Sequence, residues 1–422
     1  MWLNASKYNH HWQDKTLNEL GDFQRGKSRH RPRNDKALFS GGKHPLIQTG
    51  EIKAANLYIT KHSAVYNDFG LAQSKLWPQN TLCITIAANI AETALLGYPM
   101  CFPDSVVGFN AHPTKSSELF MHYVFTYIRR AIQNSATGSI QDNINIEYLT
   151  SLKLKIPLKD YQDKIAAVLS ALDAKIDCNN RINAELEVMT KTLYDYWFVQ
   201  FDFPDANGKP YKSSGGKMVY NPTLKREIPA GWKDGSLWEI ARYFNGLPMQ
   251  KHRPKGSEYL PVIKIKEMGE GISDSSEKAS PDIPRDAIVN GGDVLFSWSA
   301  TLDVKIWSQG KGALNQHIFK VTSGKYPKTF YYFELLAYLA HFKMMAEKRK
   351  TTMGHITQDH LKQSRICIPP TELLSWAHEQ IEPILKKHLL HEKENQHLTQ
   401  LRDWLLPMLM NGQVTVADMK TV

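Results

Sequence analysis

From Ile165 onward the chain places Ile165, Leu169, Leu172, Ile176, Asn179, Asn183, Leu186, Thr190, Leu193 and Trp197 at alternating steps of four and three residues. That is the 3.5-residue seam of a coiled-coil helix. At a constant spacing of 212 residues the same steps carry Ala377, Ile381, Ile384, His388, His391, Asn395, Leu398, Arg402, Leu405 and Leu409. Both seams turn polar in the middle, so the polar stretch of one helix can face that of the other, which costs stability and sets register. The pattern predicts long helices over 158–200 and 370–412, each about 60 Å long at 1.5 Å per residue. Pro383 is expected to kink or start the second. An interface between two copies of the chain would produce such seams as well. Two of them in one chain, each behind a similar lobe, favour an intramolecular antiparallel pair that relates the lobes by a pseudo-twofold axis.

The lobes are similar because they repeat. Trp12, Leu17, Leu20, Phe23 and Gly26 recur 220 residues later as Trp232, Leu237, Ile240, Tyr243 and Gly246. Pro45-Leu46-Ile47 with Glu51 returns as Pro261-Val262-Ile263 with Glu267, and Ile156-Pro157 returns as Ile368-Pro369. The matches keep their order and span whole lobes, with small deletions accounting for the drift in spacing. The resulting division is a lobe over 1–157, a spacer helix over 158–200, a linker and second lobe over 201–369, a second spacer helix over 370–412 and a tail over 413–422. Residues 201–222, FDFPDANGKPYKSSGGKMVYNP, are rich in Gly, Pro and Ser and read as the connection into the second lobe.

Charge follows the same division. The net +10 splits into +6 over 1–157, −2 over 158–200, +8 over 201–369 and −2 over 370–422, so the excess positive charge lies in the lobes and a polyanion is a plausible partner. With 42% hydrophobic residues over 422 positions the chain can build real cores, which excludes a wholly disordered protein. Four cysteines, Cys83, Cys101, Cys178 and Cys367, stand far apart without a C-x-x-C, so neither a zinc ribbon nor a disulfide framework is written and a reducing cytoplasm fits. No apolar run approaches the roughly 20 residues of a membrane crossing, and the polar start lacks the apolar stretch of a signal peptide.

Most motifs that suggest an enzyme fail on context. Residues 21–28 satisfy the P-loop pattern G-x-x-x-x-G-K-[ST], but Arg29-His30-Arg31-Pro32-Arg33 follows where a helix must begin, and the repeat copy lacks the first Gly, the Lys and the Ser. Asn221-Pro222-Thr223-Leu224 only begins like the N-P-P-aromatic loop of adenine methyltransferases. His10, His11, His112, His317 and His355 lie without metal-ligand spacing, so no metal site is expected, and no catalytic residue stands out.

What remains is basic. Arg25, Lys27, Arg29, Arg31, Arg33 and Lys36 put six cations in twelve residues, and Lys251, Arg253 and Lys255 repeat the theme in the second lobe. Extended, proline-bearing and poor in aromatics, these segments suit phosphate contact better than base stacking; solvated charged loops would account for the same residues. Gln141, Asn143, Asn315, Gln316 and Gln358 are candidates for reading base edges by residue type alone.

The whole arrangement resembles the specificity (S) subunit of a Type I restriction-modification system. The resemblance is carried by the Trp12/Leu17 and Trp232/Leu237 lobe starts, by Gly138-Ser139-Ile140 and Gly354-His355-Ile356 before each helix, and by Ile156-Pro157-Leu158 and Ile368-Pro369-Pro370. After the first helix it continues in Tyr194-Asp195-Tyr196-Trp197-Phe198, Phe201-Asp202-Phe203-Pro204, residues 208–216 (GKPYKSSGG) and Ile228-Pro229-Ala230-Gly231-Trp232. It implies an α+β fold with two target recognition domains, each followed by a long helix, and a function as the part that reads a bipartite, asymmetric stretch of double-stranded DNA. It also implies two modification (M) subunits that methylate adenine with S-adenosylmethionine, restriction (R) subunits that use ATP and magnesium, no cofactor and no catalysis in this chain, and the cytoplasm of a bacterium or archaeon. Two other readings fit parts of the sequence: a coiled-coil scaffold whose lobes bind proteins, and an ATPase built on residues 21–28.

Overall fold

A computed structural model describes residues 3–137, 144–348 and 355–416. The chain divides into two units, the first made of residues up to Cys178 together with those from Asn395 on, the second of Asn179–Glu394.

The first unit runs β1 (Gln13–Thr16), β2 (Gly21–Arg25), β3 (His44–Leu46), α1 (Thr49–Ala54), β4 (Tyr58–Ile59), β5 (Ala64–Tyr66), α2 (Asp68–Ala72), β6 (Leu82–Thr85), β7 (Thr93–Leu96), β8 (Val106–Ala111), α3 (Glu118–Thr137), α4 (Ile146–Ser151) and β9 (Lys153–Ile156), then enters the long helix α5 (Lys159–Tyr194). Five strands form one sheet in the order β2-β8-β6-β7-β4. Its central strand β6, Leu-Cys-Ile-Thr, is buried along its whole length, as a strand covered on both faces must be. α3 covers one face with Phe120, Met121, Val124, Phe125 and Ile128, and β1 closes antiparallel on β9 with Gln13 opposite Ile156.

The second unit repeats this plan with additions. It runs β10 (Met218–Asn221), β11 (Arg226–Pro229), β12 (Lys233–Ser236), α6 (Leu237–Ile240), β13 (Arg242–Asn245), β14 (Leu260–Ile263), α7 (Ile265–Glu270), β15 (Lys278–Ala279), β16 (Ile288–Val289), β17 (Val294–Ser297), β18 (Asp303–Ile306), β19 (Gly312–Leu314), β20 (Ile318–Thr322), α8 (Lys328–Lys348), α9 (Gln358–Gln363), β21 (Arg365–Ile368) and α10 (Thr371–Met410). The sheet β13-β20-β17-β18 corresponds to β2-β8-β6-β7, and β12 closes on β21 with Lys233 opposite Ile368. A second four-stranded sheet, β15-β14-β19-β16, has no counterpart of that size in the first unit among the described residues.

The repeated residues do the same work twice. Leu17 and Leu237 are fully buried. Glu51 and Glu267 sit at the third position of α1 and α7, where each carboxylate accepts the N–H of the residue before its helix, Gln48 at 3.1 Å and Lys264 at 3.2 Å. Each also accepts a serine hydroxyl, from Ser63 and Ser276 respectively. A helix start is satisfied this way when a carboxylate in the first turn takes an orphan backbone donor.

The two long helices contribute to both units. In the first, Ile165, Leu169 and Ile176 of α5 are buried, and Ile165 and Leu169 share a core with Leu406 and Leu409 of α10. Beside them Arg402 Nη1 meets the buried Asp173 carboxylate at 2.7 Å, while the Tyr123 hydroxyl donates to its other oxygen at 2.6 Å. In the second, Asn179 donates to Glu394 at 2.8 Å, Asn183 lies 3.0 Å from His391 Nδ1 and donates to the His388 carbonyl at 3.2 Å, and His388 meets Glu187 at 2.8 Å. Partner numbers fall on α10 as they rise on α5, so these segments are antiparallel. The mid-seam polar groups face one another, and the His388 hydrogen bond holds the Glu187 carboxyl below its ordinary value. Ile381 is buried, whereas Leu172, Leu186, Leu193, Ile384, Leu398 and Leu405 are half-buried. Pro383 neither starts nor ends α10: the helix begins at Thr371 and passes through it. Pro383 is exposed, and the buried Ile381 and Leu385 anchor the turns on either side.

Candidate nucleic-acid interface

The glycines of residues 21–28 serve strand packing. Gly21–Arg25 is strand β2, its backbone paired residue by residue with β8, and the next α-helix begins only at Thr49. A P-loop needs its amides free and a helix directly behind them. A Cβ on Gly26 would lie 2.3 Å from the Pro103 carbonyl oxygen, and one on Gly246 2.2 Å from that of Asn315. Only glycine permits such an approach.

These two glycines mark one sheet corner built twice. Gly26 donates to Val106 at 2.9 Å and Gly246 to Ile318 at 3.1 Å, which brings the end of β2 beside the start of β8 and the end of β13 beside the start of β20. The adjoining hairpins also match. Ile86 donates to Ser105 and Trp298 to His317, while Ala88 and Ala300 hold left-handed φ of 61° and 54° at the loop tips. Thr85 and Ser297 brace the turns by donating to the carbonyls of Asn89 and Thr301. A non-glycine residue in that conformation costs of order 1 kcal/mol or more and persists where its surroundings impose it.

On this common frame the side chains differ. The first unit has Arg25, Asp104, Ser105 and the buried Ile86; the second has Asn245, Gln316, His317 and Trp298 at the corresponding places. Trp298 Nε1 donates to Asn245 Oδ1 at 3.0 Å, and the indole lies between His317 and His355, with ring centroids 5.8 and 5.2 Å away. His317 Nδ1 is 3.3 Å from Ser299 Oγ. The two histidines are 38 positions apart in the chain, which is why their sequence context showed no relation between them.

The first basic segment leads directly away from its corner. Arg25 and Arg29 are exposed and Lys27 half-buried, and none makes an ion pair among the described residues. Arg33 is different: its guanidinium donates to both oxygens of Asp104, at 2.7 and 3.0 Å, with Arg31 3.8 Å from the same carboxylate. Arg31 also donates to the carbonyls of Ser28 and His30, so these two cations shape the loop. Lys75, absent from the sequence candidates, joins the patch by donating to Gln24 at 2.5 Å from a position over the Trp77 ring. Burial first, then the nearby Lys27 charge, lowers its pKa. In the second unit Lys251 and Lys255 are exposed without an ion pair among the described residues, and Arg253 lies 3.7 Å from Glu277.

The candidates chosen by residue type separate. Asn315 is 7% exposed and braces the corner through its backbone, donating to Ile263 and accepting from Ile318. Gln316 is half-buried beside His317, and Gln358 is exposed at the start of α9. Gln141 and Asn143 lie outside the described residues. Among the described residues no group of three or more His, Cys, Asp or Glu side chains could hold a metal ion, and no helix is long and apolar enough to cross a membrane.

The sequence profile of the Type I restriction modification DNA specificity domain matches residues 9–188 and 229–400, one match for each repeat. The chain belongs to that family. It is 22% identical to the Type I restriction enzyme MjaIX specificity subunit of Methanocaldococcus jannaschii, over 97% of this chain and 94% of that protein. It is also 22% identical to the HindI specificity subunit of Haemophilus influenzae, over 68% of this chain and 74% of that one. The fold is shared with the crystal structure of the Type I restriction-modification S subunit from M. genitalium, with a TM-score of 0.56 and 17% identity over 97% of this chain and 99% of that one. The two profile matches make each lobe, with its long helix, a specificity domain.

Proposed function

We propose that this specificity chain reads a bipartite, asymmetric double-stranded DNA target, one half with each unit, and directs M subunits to methylate adenine and R subunits to cut. In this reading S-adenosylmethionine, ATP and magnesium are used by those partners in the cytoplasm, and the chain itself contributes recognition without catalysis. One observation carries the reading: the same backbone corner bears Arg25, Asp104 and Ser105 in one unit and Asn245, Gln316 and His317 in the other. Arg pairs with guanine edges and Asn or Gln with adenine edges, so corners of unlike chemistry read unlike half-sites. The cations Arg29, Lys27, Lys251 and Lys255, which no carboxylate among the described residues neutralises, supply phosphate contacts that carry affinity without sequence. The two long helices set the number of unread base pairs between the halves.

The test is a lobe exchange. Replacing residues 1–157 by the corresponding lobe of another specificity subunit changes one half of the methylated motif and leaves the other half and the gap intact. A change in both halves contradicts independent reading.

A further inference from the structure

Arg25 and Asn245 hold the same place in the two repeats, one residue before the glycine that turns each sheet corner, yet they differ in what they can offer a ligand. An arginine presents N–H donors whichever way its guanidinium turns. A primary amide presents either its oxygen or its two N–H groups, and turning it over exchanges an acceptor for donors with almost no change of shape. An amide that must offer only one of them has to be held.

The second unit holds it. Trp298 Nε1 can only donate, so the atom of Asn245 that it meets at 3.0 Å is the oxygen Oδ1. Asn245 is exposed at the end of β13, and its Nδ2 makes no hydrogen bond among the described residues, so both N–H groups are left to solvent. The indole is itself fixed. Phe319, His317 and His355 surround it, with ring centroids 5.8, 5.8 and 5.2 Å away. Its backbone is tied on both sides: the Trp298 N–H donates to the His317 carbonyl at 3.4 Å, and the Ile356 N–H donates to the Trp298 carbonyl at 2.9 Å. Where the second unit has Trp298 the first has Ile86, a buried side chain with no donor, and Arg25 needs none.

We propose that Trp298 is a positioning residue for base recognition: by donating to Oδ1 it locks the Asn245 amide with Nδ2 outward, and the second unit thereby selects a base edge that offers a hydrogen-bond acceptor. In the major groove such acceptors are N7 and O6 of guanine, N7 of adenine and O4 of thymine, whereas the N4 amino group of cytosine is a donor and is refused. An amide freed from the indole turns over and takes either kind of edge. This role rests on the assignment of base reading to the second unit, and it adds which atoms of the corner read and what holds them.

The test uses the full chain assembled with its M subunits. The methylated motif is mapped for the wild type and each variant, and Kd is measured by anisotropy on the motif duplex and on duplexes changed at each recognised base pair. Trp298→Phe keeps a ring against Phe319, His317 and His355 and removes the N–H. One position of one half-site then turns degenerate: the preference for the wild-type base over cytosine falls there by about tenfold, while every other position and the gap stay as they were. Asn245→Asp keeps an oxygen for the indole and turns an acceptor outward, so at that same position the wild-type base is refused and cytosine, which donates from N4, is preferred. A wild type that yields no two-part motif overturns the assignment of base reading and this role with it. A wild-type motif that Trp298→Phe reproduces with every position fixed overturns this role alone, as does relaxation of different positions by the two variants. Loss by the same factor on every sequence also overturns it, because packing or phosphate contact then accounts for both residues.

Discussion

Neutralising the first basic segment separates phosphate contact from base reading, because the structure divides its cations into two kinds. Lys27, Arg29 and Lys36 make no ion pair among the described residues, whereas Arg33 is held by both oxygens of Asp104. Every phosphate that a protein cation ceases to neutralise lowers the slope of log K against log salt by about 0.9 on B-DNA, so replacing Lys27, Arg29 and Lys36 by Gln flattens it by about 2.7. From 50 to 200 mM salt the wild type then weakens by a factor about 40 times larger than the triple variant does. Arg33→Gln alone flattens the slope by less than Arg29→Gln alone, since Asp104 already neutralises that guanidinium. The assay is anisotropy of a labelled duplex with the chain assembled with its M subunits, on the methylated motif and on a scrambled sequence. The triple variant weakens both duplexes alike. An unchanged slope, or a loss confined to the motif, refutes phosphate contact by these residues.

Three further outcomes follow from the packing. His122 is buried beside Thr93, and burial above all, then the charges of Arg129 and Arg402, brings its pKa down to about 3. The unfolded state therefore binds the extra proton from about pH 6.5 downward, and stability falls with pH by up to about 1.4 kcal/mol per unit; His122→Gln flattens urea-denaturation midpoints between about pH 6.5 and 5, and an unchanged pH dependence contradicts this. Arg402→Met leaves the buried Asp173 carboxylate without its cation and costs about 3–5 kcal/mol in urea denaturation, much of which Asp173→Leu restores in the double variant. Inserting four residues at matched points of α5 and α10 adds about 6 Å to each helix and lengthens the recognised gap by one or two base pairs, read from the methylated motif.

Periodic features are legible in the sequence and long-range pairings are not. The seam around Asn179, Asn183, His388 and His391 repeats every three or four residues, so it announces both helices and the facing of their polar sections. Trp12, Leu17 and Gly26 return in order as Trp232, Leu237 and Gly246, which marks out the two lobes. Asp104 lies 71 residues from Arg33, and nothing local marks it as that residue's partner. Trp298, His317 and His355 meet only because β17 and β20 pair and α9 follows on. Asn315 has the composition of a base reader, but the close approach of Gly246 to its carbonyl makes it a backbone brace. The segment 201–222 has the Gly, Pro and Ser of a flexible connection, yet two of its phenylalanines cover Trp232.

The most direct measurement of DNA reading is a genome-wide map of N6-methyladenine in a host without adenine methylation of its own, with this chain expressed together with its M subunit and the M subunit alone as control. The account predicts a two-part motif with unlike halves and a fixed gap, present only when this chain is present. A soluble complex that leaves the genome unmethylated, or that methylates the same sites as the M subunit alone, would contradict it.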